Sequence, residues 1–256
     1  MKKTVLITGA SSGIGYELAK LFAKDGHDLV LVARREEKLQ EIAQELSSNG
    51  IKIQVIKKDL VELKAGEELL ATLKSKKSQI DILINNAGFG LHGKFLETDL
   101  EAEKKMIELN ITALTVLSKL FAKEMVVRGN GKIVNIASTA SFQPGPFMAV
   151  YYATKAYVLS FTEALAEELR GTGVTCIAIC PGATRTEFQD RAGIGSIPLF
   201  DRPTVMTAAE VARIGYEGIW KDKVVVITGF RNKLGAFLVR LTPRWLVRKV
   251  VRRIQE

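Results

Sequence analysis

Cysteine and histidine are nearly absent from this 256-residue chain, which has two of each. Cys176 and Cys180 fall in one apolar, strand-like run, Val174 to Cys180. Four residues along a strand span roughly 13 Å, beyond the reach of a disulfide. A disulfide framework is thereby excluded, and both thiols read as buried packing residues of a reduced, cytoplasmic protein. His27 and His92 have no cysteine or acidic neighbours at metal-ligand spacing, so no metal site is expected. Long apolar runs are lacking too. Nothing approaches the roughly 18 residues of a membrane span. Met1-Lys2-Lys3 imitates the start of a signal peptide, but the apolar stretch behind it breaks after four residues. Negative charge is in short supply: 28 acids against 37 Lys and Arg leave a net charge of +9. Residues 231–256 carry eight of those cations and one acid, a net of +7, so the rest of the chain holds only +2. The basic character belongs to the tail, and without a nucleic-acid reading motif no nucleic-acid partner is expected.

What the chain does contain begins at its amino terminus. The apolar run Thr4-Val5-Leu6-Ile7 leads into Thr8-Gly9-Ala10-Ser11-Ser12-Gly13-Ile14-Gly15, and a helical pattern follows from Tyr16 to Lys24. A buried strand entering a glycine turn and then a helix is the context of a dinucleotide phosphate site. Glycine allows the tight turn and the close approach of backbone N–H groups to a pyrophosphate. The helix adds the positive end of its dipole. The spacing is Gly-x-x-x-Gly-x-Gly, which places three residues between the first two glycines where Gly-x-Gly-x-x-Gly has one.

Apolar runs suited to buried strands recur near 4–8, 28–33, 51–56, 80–84, 132–137, 174–180 and 223–228. Helical patterns fill the gaps near 14–25, 36–48, 61–75, 99–128, 150–170 and 207–219. This alternation predicts an α/β fold, a Rossmann-type doubly wound parallel sheet of about seven strands. Residues 1–230 are expected to form one dinucleotide-binding and catalytic domain, with 231–256 as its basic amphipathic carboxyl-terminal helix. In such sheets ligands bind outside the carboxyl ends of the strands. Gly9, Arg34, Asp59, Asn86, Ser138 and Pro181 each stand at or just past a predicted strand end.

The second informative stretch is Tyr151-Tyr152-Ala153-Thr154-Lys155. In a helix, positions 151 and 155 share a face. An ammonium about 4 Å from a phenol stabilises phenolate by up to about 4 kcal/mol at an effective dielectric of 20. That is expected to bring the phenol from its usual pKa near 10 toward working pH, where acid–base catalysis is effective. Tyr152 lies three residues from the same lysine and competes for the role. At the end of the second strand, where an NAD site carries Asp or Glu, the chain reads Arg34-Arg35. A guanidinium grips a phosphate with two hydrogen bonds and stacks on adenine. NADP(H) is therefore expected, with Arg34 as the main contact and Arg35 as its substitute.

Taken together these motifs resemble the classical short-chain dehydrogenase/reductase family, over residues 3 to about 230. The resemblance assigns Gly9, Ser11, Ser12, Gly13, Ile14 and Gly15 to the cofactor turn. It places Asp59 and Leu60 at the adenine edge, and Asn86, Ala87 and Gly88 in the segment after the fourth strand. Pro181, Gly182, Thr184 and Thr186 fall at the nicotinamide half. It also implies a tetrad of Asn110, Ser138, Tyr151 and Lys155, which selects Tyr151 over Tyr152. By that likeness Tyr151 exchanges a proton with the substrate, Ser138 holds its oxygen, Lys155 also binds the nicotinamide ribose, and Asn110 positions a water. The implied activity is NADP(H)-dependent interconversion of a carbonyl and a secondary alcohol, with Ser138 and Tyr151 touching the substrate. A non-enzymatic dinucleotide-binding protein on the same fold is the alternative.

Phe142, Phe147, Met148 and the segment 188–206, which carries Ile194, Ile197, Leu199 and Phe200 with Gly193 and Gly195 as hinges, suggest either an apolar lid over a hydrophobic substrate or residues that pack the loop down. Arg185 and Arg191 are placed to serve an acyl carrier. In the tail, Arg240, Arg244, Arg248 and Arg252 recur every four residues beside Leu238, Leu241, Trp245, Leu246 and Val250, and Pro243 can start a helix. Such a helix lies on an anionic membrane surface or packs on its own domain or a second subunit. The family resemblance implies a homodimer or homotetramer built through the helices at 99–128 and 150–170.

Overall fold

A computed structural model of the chain describes residues 1–47, 50–194 and 205–255. Seven parallel strands form the central sheet: β1 (Thr4–Thr8), β2 (Asp28–Ala33), β3 (Ile53–Lys57), β4 (Ile82–Asn85), β5 (Gly131–Ile136), β6 (Val174–Cys180) and β9 (Val225–Ile227). Their order is β3-β2-β1-β4-β5-β6-β9. The chain crosses from one half to the other between β1 and β4, and that is where a doubly wound sheet opens a crevice.

Alternation along each strand divides the core into two layers. Val5 and Ile7 of β1 face α1 (Gly13–Lys24) and α8 (Ala208–Trp220), meeting Leu18, Phe22 and Ile219. Leu6 points the other way, with Leu83, toward α3 (Ala65–Ser75) and α5 (Leu114–Arg128), where Leu69, Leu73, Phe121 and Met125 cover it. Each such side chain contributes about 1.5–3 kcal/mol by leaving water. Helix α2 (Glu36–Leu46) packs its buried Leu39, Ile42 and Leu46 on the first layer.

His27 is a core residue. Its ring stacks on Trp220 at 5.6 Å, and its Nδ1 accepts from the Lys3 amide at 3.0 Å. Burial lowers its pKa, which keeps the imidazole neutral and able to accept. Cys176 and Cys180 are both buried and unbridged on β6, and burial pushes both thiols up to about 12.

The helix expected over 99–128 is interrupted. Helix α4 (Leu100–Ile107), capped by the Asp99 carboxylate on the Ala102 amide at 2.8 Å, runs into a π-helical turn, Glu108–Ala113, before α5. Two small strands, β7 (Thr184–Arg185) and β8 (Met206–Thr207), and a short helix α7 (Phe188–Ala192) have no counterpart in the expected pattern. Five residues or fewer give no periodicity to read. Helix α6 (Ala149–Glu168) carries the Tyr-Lys pair.

The basic tail departs from expectation as well: it is two helices, α9 (Phe230–Leu241) and α10 (Arg244–Gln255). Thr242 is extended, because the ring of Pro243 disfavours helical backbone in the residue before it. Pro243 then starts α10. The side chains that α10 packs inward are Val247, Val251 and Gln255. Leu238, Leu241, Trp245, Leu246 and Val250, the expected apolar partners, all face outward. No described helix is long and apolar enough to cross a membrane.

Candidate active site

The crevice between β1 and β4 is built on the glycine turn. Gly9 and Gly13 adopt left-handed backbone, with φ of +65° and +58°. A Cβ on Gly15 would strike the Asn86 side-chain amide and stand 2.6 Å from the Gly9 carbonyl. Asn86 spans the gap by donating from Nδ2 to the carbonyls of Thr8 at 2.9 Å and Gly9 at 3.1 Å. The Thr8 hydroxyl accepts from the amides of Asn86 and Ala87, both at 3.0 Å. Thr8 is thus a second tie between β1 and β4, which nothing in its sequence context signals. Helix α1 opens with no side-chain cap and no acid in its first turn, leaving its N–H groups available to an anion.

Arg34 and Arg35 separate. Arg34 is exposed and reaches Asp59 Oδ2 at 3.9 Å. Arg35 turns back over the glycine turn, pairing with Glu187 at 2.8 Å and donating to the Ser11 hydroxyl at 3.2 Å. Asp59 accepts from the Val61 amide at 3.2 Å, and Leu60 beside it is buried. Glu187 also pairs with Arg191 at 2.8 Å, so Arg191 is engaged at the cofactor turn.

The four tetrad positions lie together at the carboxyl ends of β4 and β5. Asn110 sits in the π-helical turn, a distortion often found at functional sites. Its Oδ1 accepts from the Phe89 amide at 3.2 Å, and its Nδ2 donates to the Phe89 carbonyl at 3.0 Å and to Thr154 Oγ1 at 3.1 Å. A Cβ on Gly88 would come within 2.9 Å of Asn110 Oδ1 and 3.7 Å of Lys155 Nζ. Lys155 is buried. Its Nζ donates to the Ile136 carbonyl at 2.7 Å and stands 5.9 Å from the Tyr151 ring centre. Ser138 caps a single 3-10 turn, Thr139–Phe142, by accepting from the Ala140 amide at 3.1 Å, donates to the Pro181 carbonyl at 3.4 Å, and stands close enough to the Tyr151 phenol to favour its ionisation.

The two tyrosines face different ways. The Tyr152 hydroxyl accepts from Gln255 Nε2 at 2.8 Å, which ties it to α10. Tyr151 instead packs its ring on Phe188 at 5.4 Å, and a Cβ on Gly90 would touch Phe188, Met148 and Tyr151 together. Phe147, in left-handed backbone with φ of +65°, lies 5.8 Å beneath the Arg252 guanidinium. Ile194 is buried nearby, with Met148 and Tyr152. Gly193, at φ of +70°, ends α7, whereas Gly195, Ile197, Leu199 and Phe200 lie outside the described residues.

One expectation is reversed. Burial raises the Tyr151 phenol above its ordinary value, outweighing the nearby Ser138 hydroxyl, which favours ionisation, and Tyr152 adds to the rise. Lys155 does not bring the phenol down here, because its ammonium is turned to the Ile136 carbonyl. Burial lowers Lys155 itself to about 8, the Cys180 thiol acting the other way.

On the nicotinamide side, Pro181 follows β6 and accepts from the Thr139 amide at 2.8 Å. Gly182 is packed against the Asn232 side chain, leaving no space for a Cβ. Thr184 donates to the Gly182 carbonyl at 2.8 Å, and the Thr186 hydroxyl accepts from the Phe188 amide at 3.1 Å. A sequence model of the short chain dehydrogenase family matches residues 3–194. The chain belongs to the short-chain dehydrogenase family. It is 36% identical over 244 residues to a ketoacyl reductase, HetN, of Nostoc sp., covering 94% of this chain and 79% of that protein. Similar curated proteins are matched over 61% to 89% of their own length. A short-chain dehydrogenase of Sphingobium yanoikuyae in complex with NADPH superposes with a TM-score of 0.84 at 38% identity, covering 93% of each chain. One from Burkholderia phymatum in complex with NAD gives 0.85 at 25% identity, covering 93% of this chain and 92% of that one. The family is one of oxidoreductases, and its cofactor class is a nicotinamide dinucleotide. The uncapped start of α1 and the three close-packed glycines suit such a group's pyrophosphate.

Proposed function

We propose that this dehydrogenase is an NADP(H)-dependent enzyme interconverting a hydrophobic ketone, steroid-like or acyl-type, with its secondary alcohol. The observation that carries the reading is a half-buried Tyr151 with Ser138 beside it and buried Lys155 on the same helix face, close to Gly88. Bound NADPH would supply the hydride. The chain's own groups do the rest. Tyr151 donates the proton to the carbonyl oxygen as it becomes an alcohol, and the reverse reaction returns it. Ser138 donates a hydrogen bond to that oxygen where charge grows. Lys155 holds the ribose hydroxyls through its ammonium. Asn110, clamped by Phe89 and Thr154, holds a water that relays protons to Lys155. Apolar Met148, Phe188 and Ile194 exclude water around the reacting carbon, and the relationship to a ketoacyl reductase agrees with an apolar ketone. A homodimer or homotetramer through α5 and α6 belongs to the same proposal, supported by Val127, which is 89% exposed on α5.

Two results follow. In the reductive direction Tyr151, with its raised pKa, stays protonated through neutral pH, so the acid form is always present. Lys155 loses its charge as pH rises through about 8. The kcat/KM for ketone reduction should therefore be level near neutrality and decline above about pH 8, and a profile rising through that range would remove Lys155 from the assignment. Arg34→Ala should raise the KM for NADPH about 10–100-fold, the equivalent of one charge-assisted contact of about 1.5–3 kcal/mol, and leave that for NADH unchanged. Steady-state kinetics with both cofactors on a panel of hydrophobic ketones tests this, and an NADH preference in the native protein would refute the NADP(H) reading.

A further inference from the structure

The outward face of the two carboxyl-terminal helices has no part in this chemistry. Along α9, Phe230, Leu234, Phe237, Leu238 and Leu241 recur at three- and four-residue steps on one face. All five are exposed, Phe230 by 79% and Leu241 by 69%, while buried Ala236 marks the opposite side. Arg231 flanks this stripe on one side, and Lys233 and Arg240 flank it on the other. These three cations are exposed and form no salt bridge among the described residues. Helix α10 continues the pattern with exposed Trp245 and Val250, and Lys249 Nζ lies 5.3 Å over the Trp245 ring. A contiguous apolar stripe left in water marks an interaction surface.

We propose that α9 and α10 dock this protein flat on an anionic lipid bilayer, with the α9 stripe in the headgroup–acyl boundary and the flanking cations at the lipid phosphates. Length excludes spanning. Each helix has 12 residues, about 18 Å, against a hydrocarbon core of about 30 Å. Charge decides the occupant. A second copy meeting this face about a two-fold axis would bring one +7 segment against another, which like-charge repulsion opposes. An anionic bilayer satisfies the cations and the apolar stripe at once.

Docking also places the substrate pocket. The inner face of α10 packs Val247 and Val251 against Met148 and Tyr152. The Gln255 carbonyl lies 3.1 Å from His92 Nε2, and the loop beyond His92 carries exposed Phe95 and Leu96. The wall beside Tyr151 is thus the reverse side of the docking element, suited to a substrate taken from the lipid.

Flotation with vesicles of phosphatidylcholine alone, or mixed with phosphatidylglycerol, tests the proposal and needs no turnover, so it stands or falls apart from the catalytic reading. The intact protein should float with the anionic vesicles only, and salt should weaken the association. Replacing Arg231, Lys233 and Arg240 by Gln should cost on the order of 100-fold in partition, about fivefold per cation. Phe237→Asp with Leu241→Asp should abolish flotation without changing the melting temperature, since both side chains are exposed. No flotation with anionic vesicles, or equal flotation of the intact and substituted proteins, would overturn the proposal. So would an oligomer that the Asp pair dissociates in sedimentation while vesicles are ignored, which would give the face to a second copy.

Discussion

Tyr151→Phe is expected to lower kcat/KM for ketone reduction about 10²–10⁴-fold, the usual contribution of a positioned general acid. The substitution removes one oxygen and keeps the ring that packs on Phe188 at 5.4 Å and lies against Gly90. Folding and cofactor binding should be untouched, so the thermal shift given by NADPH should match that of the native protein. Ser138→Ala removes a hydrogen bond to the developing oxyanion and should cost about 10²–10³-fold. Tyr152→Phe is the discriminating control. Its hydroxyl serves Gln255, so turnover should stay near normal while stability falls by about 0.5–1.5 kcal/mol, one hydrogen bond. If Tyr151→Phe retained turnover within a few-fold of native, the phenol would not be the acid and the enzymatic reading would lose its main support.

Gly15→Ala should be nearly as damaging by a different route. The added methyl would stand 2.6 Å from the Gly9 carbonyl and against the Asn86 amide, and neither can yield. The Gly9 carbonyl belongs to the backbone of the turn, and Asn86 is held by its bonds to Thr8 and Gly9. Overpacking of this kind costs about 1–3 kcal/mol. It would also move the N–H groups that face the pyrophosphate, for a loss of about 10–100-fold in NADPH affinity. Gly235→Ala supplies the contrast. Gly235 lies in α9 with open space around its Cβ position and no left-handed backbone. That substitution should raise stability by about 0.5–1 kcal/mol, the helix-propensity gain of alanine over glycine. Calorimetry on both variants, with NADPH titration of Gly15→Ala, checks the pair. A Gly15→Ala protein that melted and bound like the native one would remove the turn from the cofactor site.

The residues between these sites show how much was legible beforehand. The seven strands and the helices between them follow from apolar runs and spacing, which are local properties of the chain. The same applies to the glycine turn, whose backbone demands only glycine meets, and to Tyr151 and Lys155, which four residues in any helix bring to one face. The Thr242-Pro243 break was equally local, and the proline was visible, but its effect on the residue before it splits the tail in two. The small strands β7 and β8 are too short to show a period.

Tertiary structure decided what depends on distant partners. Tyr152 is turned from the catalytic cluster by Gln255, 103 residues away. Arg35 is drawn over the glycine turn by Glu187, 152 residues away, while Arg34 stays exposed. Which apolar residues of α10 pack inward depended on where Met148 and Tyr152 already stood. The direction of the Tyr151 shift reversed for the same reason: spacing along a helix sets how near a lysine can come, whereas desolvation is set by everything that encloses the phenol. The sequence by itself therefore determined the order of elements, the turn and the reacting side chains. Burial, and with it the proton affinities and the face left open to water, came only from the assembled fold.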